Sequence, residues 1–129
     1  MLWVLDSTVL IDYLRGRPAV ERVRALKETG DVPATTAINA EEIVRGLGPT
    51  ETEAATRLFA GLVVLPVNLA AAWRAGEWRR SFAERGISLW QADCLIAATA
   101  AVHGGSLATG NPKDFPMGGI HVSHWPVGM

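Results

Sequence analysis

At 129 residues with 49% hydrophobic content, the chain is long enough for one hydrophobic core and too short for two, so one domain over residues 1–129 is expected. A net charge of −1 and a pI of about 6.3 exclude a broad basic surface, so a polyanion must be bound through a local patch or a metal. The single cysteine, Cys94, excludes an intramolecular disulfide and a cysteine-rich zinc site, and no apolar run nears the roughly 20 residues of a bilayer span.

Met1 leads straight into Leu2-Trp3-Val4-Leu5 without a basic leader, and a soluble cytoplasmic protein is the expectation. Leu2 to Leu5 is too short for a helix and apolar on both faces, which predicts a central parallel strand with Asp6 at its carboxyl end. Thr8 to Leu14 has helical apolar spacing and stops at Gly16. Pro18 suits the first turn of a second helix reaching about Glu28, followed by a turn at Thr29-Gly30-Asp31. Val32 to Thr36 predicts a second strand. Asn39 with Glu42 matches a capping box opening a helix that ends near Gly46, and Thr50 with Glu53 repeats the pattern for a helix reaching about Gly61.

Leu62 to Pro66 predicts a third strand, and Asn68 caps a long helix running to about Arg85. Ser88 and Gln91 form another capping pair, opening an Ala-rich helix that runs to His103. Ser106 to Thr109 is a fourth strand, and a weak last one falls around Ile120 to Val122. Strands alternating with helices predict an α/β layered fold on a mainly parallel sheet of four or five strands. In such sheets ligands bind beyond the carboxyl ends of the strands, which draws attention to Asp6 and Asp114.

Asp93 is the sharpest chemical signal, because it is the only charged residue between Gln91 and His103. A carboxylate in so apolar a helix costs several kcal/mol unless it is paired or bound to a cation. A salt bridge to arginine or the capping of a neighbouring loop is the structural alternative. Asp6 and Glu42 likewise have capping as their structural alternative. All three are expected at helix starts along one rim, where carboxylates without a counterion repel one another. Oxygen ligands without His or Cys favour Mg²⁺, or Mn²⁺, over zinc.

Leu5-Asp6-Ser7-Thr8-Val9-Leu10-Ile11-Asp12, Ala40-Glu41-Glu42-Ile43-Val44-Arg45-Gly46, Ala92-Asp93-Cys94-Leu95-Ile96-Ala97-Ala98-Thr99-Ala100 and Leu107-Ala108-Thr109-Gly110-Asn111-Pro112-Lys113-Asp114-Phe115 occur in an order and spacing that resemble PIN-domain ribonucleases, specifically VapC-type toxins. The resemblance spans nearly the whole chain. It implies a three-layer α/β/α domain in which Asp6, Glu42, Asp93 and Asp114 match the family's acidic quartet, with Asn111 near the pocket and Thr8 or Ser7 hydrogen bonding there. Glu42 is selected over Glu41 because the family's Glu precedes its Gly by four positions, here Gly46. The resemblance further implies a Mg²⁺-dependent endoribonuclease acting on structured RNA such as transfer or ribosomal RNA, a cognate antitoxin, and a homodimer. Gly110 departs from the pattern, since many relatives carry an arginine there, which bears on RNA affinity.

Such a carboxylate set would act through one or two metal ions that polarise a phosphodiester and activate water. Arg74, Arg79, Arg80 and Arg85 share their helix with Glu77 and Glu84 and read as a solvated face. Trp73 and Phe82 fit core spacing, and packing is favoured over base stacking for Trp90. His121 and His124 lack a third ligand nearby, Cys94 reads as core filler, and Asp12 as structural or solvent-facing. An aspartyl phosphatase would want a second Asp where Thr8 stands, and a phosphorylated receiver lacks its acceptor carboxylate after the third strand. The remaining rival is a PIN-like binding partner without catalysis.

Overall fold

A computed structural model describes residues 1–128. The strands are β1 (Leu2–Leu5), β2 (Val32–Thr36), β3 (Val63–Leu65), β4 (Ser106–Thr109) and β5 (Val122–His124). The helices are α1 (Ser7–Leu14), α2 (Ala19–Glu28), α3 (Ala37–Arg45), α4 (Thr52–Ala60), α5 (Leu69–Glu84) and α6 (Gln91–Val102), with a 3₁₀ turn at Pro112–Asp114. All four strand pairings are parallel, in the order β3-β2-β1-β4-β5. The fold is the expected three-layer α/β/α arrangement.

Side chains alternate along each strand, so neighbours feed opposite layers. Val4 and Leu107 join α5 and α6 in one cluster, with Ala71, Ala75, Ile96 and Ala97. Leu5 and Ala108 join the other, where Val9, Leu10, Val23, Ile43 and Leu58 pack with Trp125. The alanines of α5 and α6 lack bulk, which lets the two helices lie close against each other and the sheet.

Three predicted caps are corrected. Thr36, not Asn39, caps α3: its hydroxyl accepts from the Asn39 amide at 3.2 Å, and Asn39 lies buried inside the helix. The preceding strand therefore runs directly into the helix. No side chain caps α4 at Glu51 or α6 at Trp90, so neither the Thr50–Glu53 nor the Ser88–Gln91 pair acts as predicted. Asn68 does cap α5, accepting from the Ala71 amide at 2.9 Å. The last strand lies two residues later than expected, at Val122–His124, where its backbone pairs with β4.

Trp73 is also corrected: it is 68% exposed, while Trp78 and Phe82 pack against the core instead. Among the described residues, no helix is long and apolar enough to cross a membrane.

Candidate active site

Strand order reverses between β1 and β4, where crossovers leave in opposite directions and open a crevice at the carboxyl edge. Asp6 follows β1 there and is 7% exposed. It stands at the cap position of α1 without bonding that helix through its side chain, so its carboxylate is free for other partners. Thr109, the last residue of β4, donates to Asp6 Oδ2 at 2.7 Å, and Thr8 donates to the same oxygen at 3.1 Å. Each hydroxyl in turn accepts a backbone amide: Thr109 from Asn111 at 3.0 Å and Thr8 from Gly110 at 2.9 Å. With one proton each, both threonines are committed to the carboxylate, so their mutual 3.4 Å contact is no hydrogen bond.

The other oxygen, Oδ1, accepts from Asn39 Nδ2 at 3.4 Å. The second proton of that amide goes to Ser7 Oγ at 2.9 Å, and Ser7 donates to Glu42 Oε1 at 2.8 Å. Asn39 is oriented by Thr36, whose hydroxyl donates to Asn39 Oδ1 at 2.8 Å. A polar chain thus connects the end of β2 to both Asp6 and Glu42. Glu42 lies in the second turn of α3 and not at its start as predicted, because Thr36 begins that helix earlier. Its capping alternative therefore falls away. Glu41 is exposed beside half-buried Glu42.

Asp93 occupies the first turn of α6, where the helix dipole favours a negative charge. Its carboxyl is nevertheless pushed up to about 6, first by burial and then by the charges of Asp114, Asp6 and Glu42, in that order. Asp114, Asp6 and Glu42 are thus near enough to Asp93 for their charges to act on it, and the four carboxylates predicted from sequence share one region. Among the described residues, none forms a salt bridge or hydrogen bond with the Asp93 carboxylate, which removes its arginine and loop-capping alternatives. Asp114 is exposed on the 3₁₀ turn, and Asn111 Nδ2 donates to it at 2.7 Å.

The donor set is all oxygen and anionic, the chemistry of a Mg²⁺ or Mn²⁺ site. Among the described residues, no three His, Cys, Asp or Glu side chains close tightly enough on one point to hold an ion directly. Electrostatic coupling reaches further than direct ligation, so the two findings are compatible. Mg²⁺ usually keeps several waters and takes only one or two carboxylates, and the residues fit that mode of binding.

Asn39, Thr36 and Thr109 were not singled out from sequence as site residues. The available signal was a run of hydroxyl and amide groups at the ends of apolar strands, each needing a partner if buried. Trp90 is 79% exposed beside Asp93, contrary to the packing expected of it. The cap position holds it outside the helix and off the core. Cys94 is buried with its thiol pushed up by burial, and is core filler as expected. Asp12 is structural: buried, it accepts from the amides of Ala19 at 3.0 Å and Gly128 at 2.9 Å. His121 packs edge-on against Trp3.

The PIN domain family matches residues 3–116. The chain belongs to the PIN domain family. Ribonuclease VapC10 of Mycobacterium tuberculosis is 33% identical over 114 residues, covering 88% of this chain and 86% of that protein. DNA-bound VapBC from Salmonella typhimurium superposes with a TM-score of 0.81 at 26% identity, over 97% of this chain and 99% of that one. A toxin-antitoxin complex from Klebsiella pneumoniae gives 0.73 at 27% identity, over 98% of each chain.

Proposed function

We propose that the protein is a Mg²⁺-dependent endoribonuclease, the toxin of a toxin-antitoxin pair. The observation that carries this reading is the electrostatic convergence of Asp6, Glu42, Asp93 and Asp114 from four separate parts of the chain. Similarity to a VapC ribonuclease supports RNA as the substrate.

Asp6, Asp93, Glu42 and Asp114 would hold the cation between them, one or two directly and the others through its coordinated waters. Once bound, Mg²⁺ supplies the charge that polarises a phosphodiester and lowers the pKa of a coordinated water. Thr8, Thr109 and Asn39 fix the direction of the Asp6 carboxylate, while Ser7 fixes Glu42 and Asn111 fixes Asp114. Trp90 offers an exposed aromatic face for an unstacked base of a structured transfer or ribosomal RNA.

An antitoxin is the partner, as the Salmonella and Klebsiella complexes suggest. A groove lined by Ile11, Leu14, Ile43 and Leu47 runs beside Glu42 and gives an apolar segment of that partner a seat next to the carboxylates. Exposed Leu69 and Trp73 on α5 support self-association into a homodimer, which sedimentation at micromolar concentration checks.

Purified protein is expected to cleave structured RNA with Mg²⁺ or Mn²⁺. Asp6→Asn and Asp93→Asn each abolish cleavage while the circular dichroism spectrum stays native. Full cleavage by either variant, or cleavage undiminished in EDTA, would overturn the assignment.

A further inference from the structure

The segment after β5, Trp125 to Gly128, passes from β4 to α1 and α2 and is tied down along its length. The Trp125 amide donates to Thr109 O at 2.8 Å, and its buried indole lies against Trp3 at 6.0 Å between ring centroids. Arg22 donates to Pro126 O. The Gly128 amide donates to Asp12 Oδ1 at 2.9 Å, and Asp12 Oδ2 accepts from the first residue of α2. Asp12 is only 2% exposed, so each of these bonds offsets part of the cost of burying its carboxylate.

Between those anchors, Val127 seats on Gly110. A Cβ added at Gly110 would stand 2.8 and 3.0 Å from the two Val127 methyls and 3.3 Å from Thr8 Oγ1. Real Cβ atoms do not approach so closely, so the seat exists only because residue 110 has no side chain. There is accordingly no room in this arrangement for the arginine expected at that position by resemblance.

The strap reaches one oxygen of the site by two routes. Val127 bears on Gly110, whose amide donates to Thr8 Oγ1, and Thr8 donates to Asp6 Oδ2. Trp125 bonds the backbone of Thr109, whose hydroxyl donates to the same Oδ2. We propose that Trp125–Gly128 is a positioning strap, which sets the direction of the Asp6 carboxylate through Gly110–Thr8 and through Thr109. The role toward a cation rests on the metal-dependent reading of the site.

The test compares wild type, Gly110→Ala, Val127→Ala and the double variant as full chains. Two readouts are taken: Mn²⁺ affinity by electron paramagnetic resonance, and hydrogen exchange of the backbone amide at position 110 in metal-free protein. Gly110→Ala is expected to displace the strap, weaken Mn²⁺ binding about 10-fold, the scale of losing an outer-shell partner, and accelerate exchange of the amide at position 110 relative to its intrinsic rate. Adding Val127→Ala removes both clashing methyls and restores both readouts most of the way. Wild-type behaviour of Gly110→Ala in both readouts, or absence of rescue, overturns the strap, as does a lower Tm with unchanged Mn²⁺ affinity. If Gly110→Ala does not fold, Val127→Ala alone decides by faster or unchanged Gly110 exchange. If wild type takes up no Mn²⁺, the metal reading fails by itself and the exchange comparison judges the strap.

Discussion

Asp6 directly follows a strand and its carboxylate receives hydrogen bonds from three side chains, whereas Asp93 stands in the first turn of a helix and its carboxylate receives none among the described residues. Both face the same acidic crevice. Around Asp6 the fold supplies donors that match a charged carboxylate oxygen by oxygen. Around Asp93 it supplies burial and three like charges, which oppose ionisation. One wall is thus oriented before a cation arrives, and the other is left electrostatically unsatisfied until one does.

Asparagine at the two positions should separate the walls most sharply. Each change is expected to lower RNA cleavage at least about 100-fold, since ligands weigh more than the outer-shell groups whose loss costs 10- to 100-fold. Stability should move in opposite directions. Asp6→Asn turns an amide toward threonine hydroxyls that both donate, and leaving a buried donor unmatched costs about 1–3 kcal/mol. Asp93→Asn removes a repelled charge and should raise the Tm of the metal-free protein. Parallel changes in Tm by thermal melts would dissolve the contrast.

The same contrast has a pH signature. A carboxyl at about 6 in the folded chain, against 3.8 ordinarily, binds more protons folded than unfolded within that window. The Asp93 contribution to stability is therefore most favourable below about pH 4 and declines as pH rises through about 6. The shift would correspond to about 3 kcal/mol in full, and solvent screening of this half-buried group reduces it to about 1–2 kcal/mol. Urea denaturation of metal-free protein at pH 4 and 7 should show most of that loss in wild type but not in Asp93→Asn. Saturating Mg²⁺ should remove most of it by favouring the ionised form.

Thr109→Val tests the oriented wall with less force. It keeps the shape while removing the shortest bond to Asp6 and the acceptor of the Asn111 amide. A loss of about 10-fold in Mn²⁺ affinity is expected, with the pH dependence assigned to Asp93 retained. Unchanged affinity would mean that Asp6 needs no help from β4.

The acidic wall was legible in the sequence and the oriented one largely was not. Asp93 stood out because a charge inside Ala-Cys-Leu-Ile-Ala-Ala has no local reason to be there. The strands, being short apolar runs between turns, were equally plain, and their parallel arrangement followed from the alternation with helices. The partners of Asp6 come from α1, α3 and β4, and Asn39 and Thr109 reach it across 33 and 103 positions, so no local spacing marks those two. Asn39 was misread as a cap because an Asn three residues before a Glu has that local pattern. Thr36, one strand end away, competes for the role and wins. Trp90 was misjudged because exposure depends on which side of α6 its neighbours cover.

Trp90 offers the smallest effect and separates substrate handling from both acidic walls. Its indole is 79% exposed, so Trp90→Ala should change stability by no more than about 0.5 kcal/mol, as surface substitutions do. Stacking of a base on an aromatic ring contributes about 1–3 kcal/mol. A single ring at the crevice edge should act near the lower end, which corresponds to about 5-fold in KM. Because the ring is largely exposed and outside the hydrogen bonds that orient the carboxylates, kcat and Mn²⁺ affinity should stay at wild-type values, and Trp90→Phe should recover most of the KM. A fall in kcat with KM unchanged would instead place the ring's effect on Asp93 itself, one helical turn away, and make it part of the unsatisfied wall.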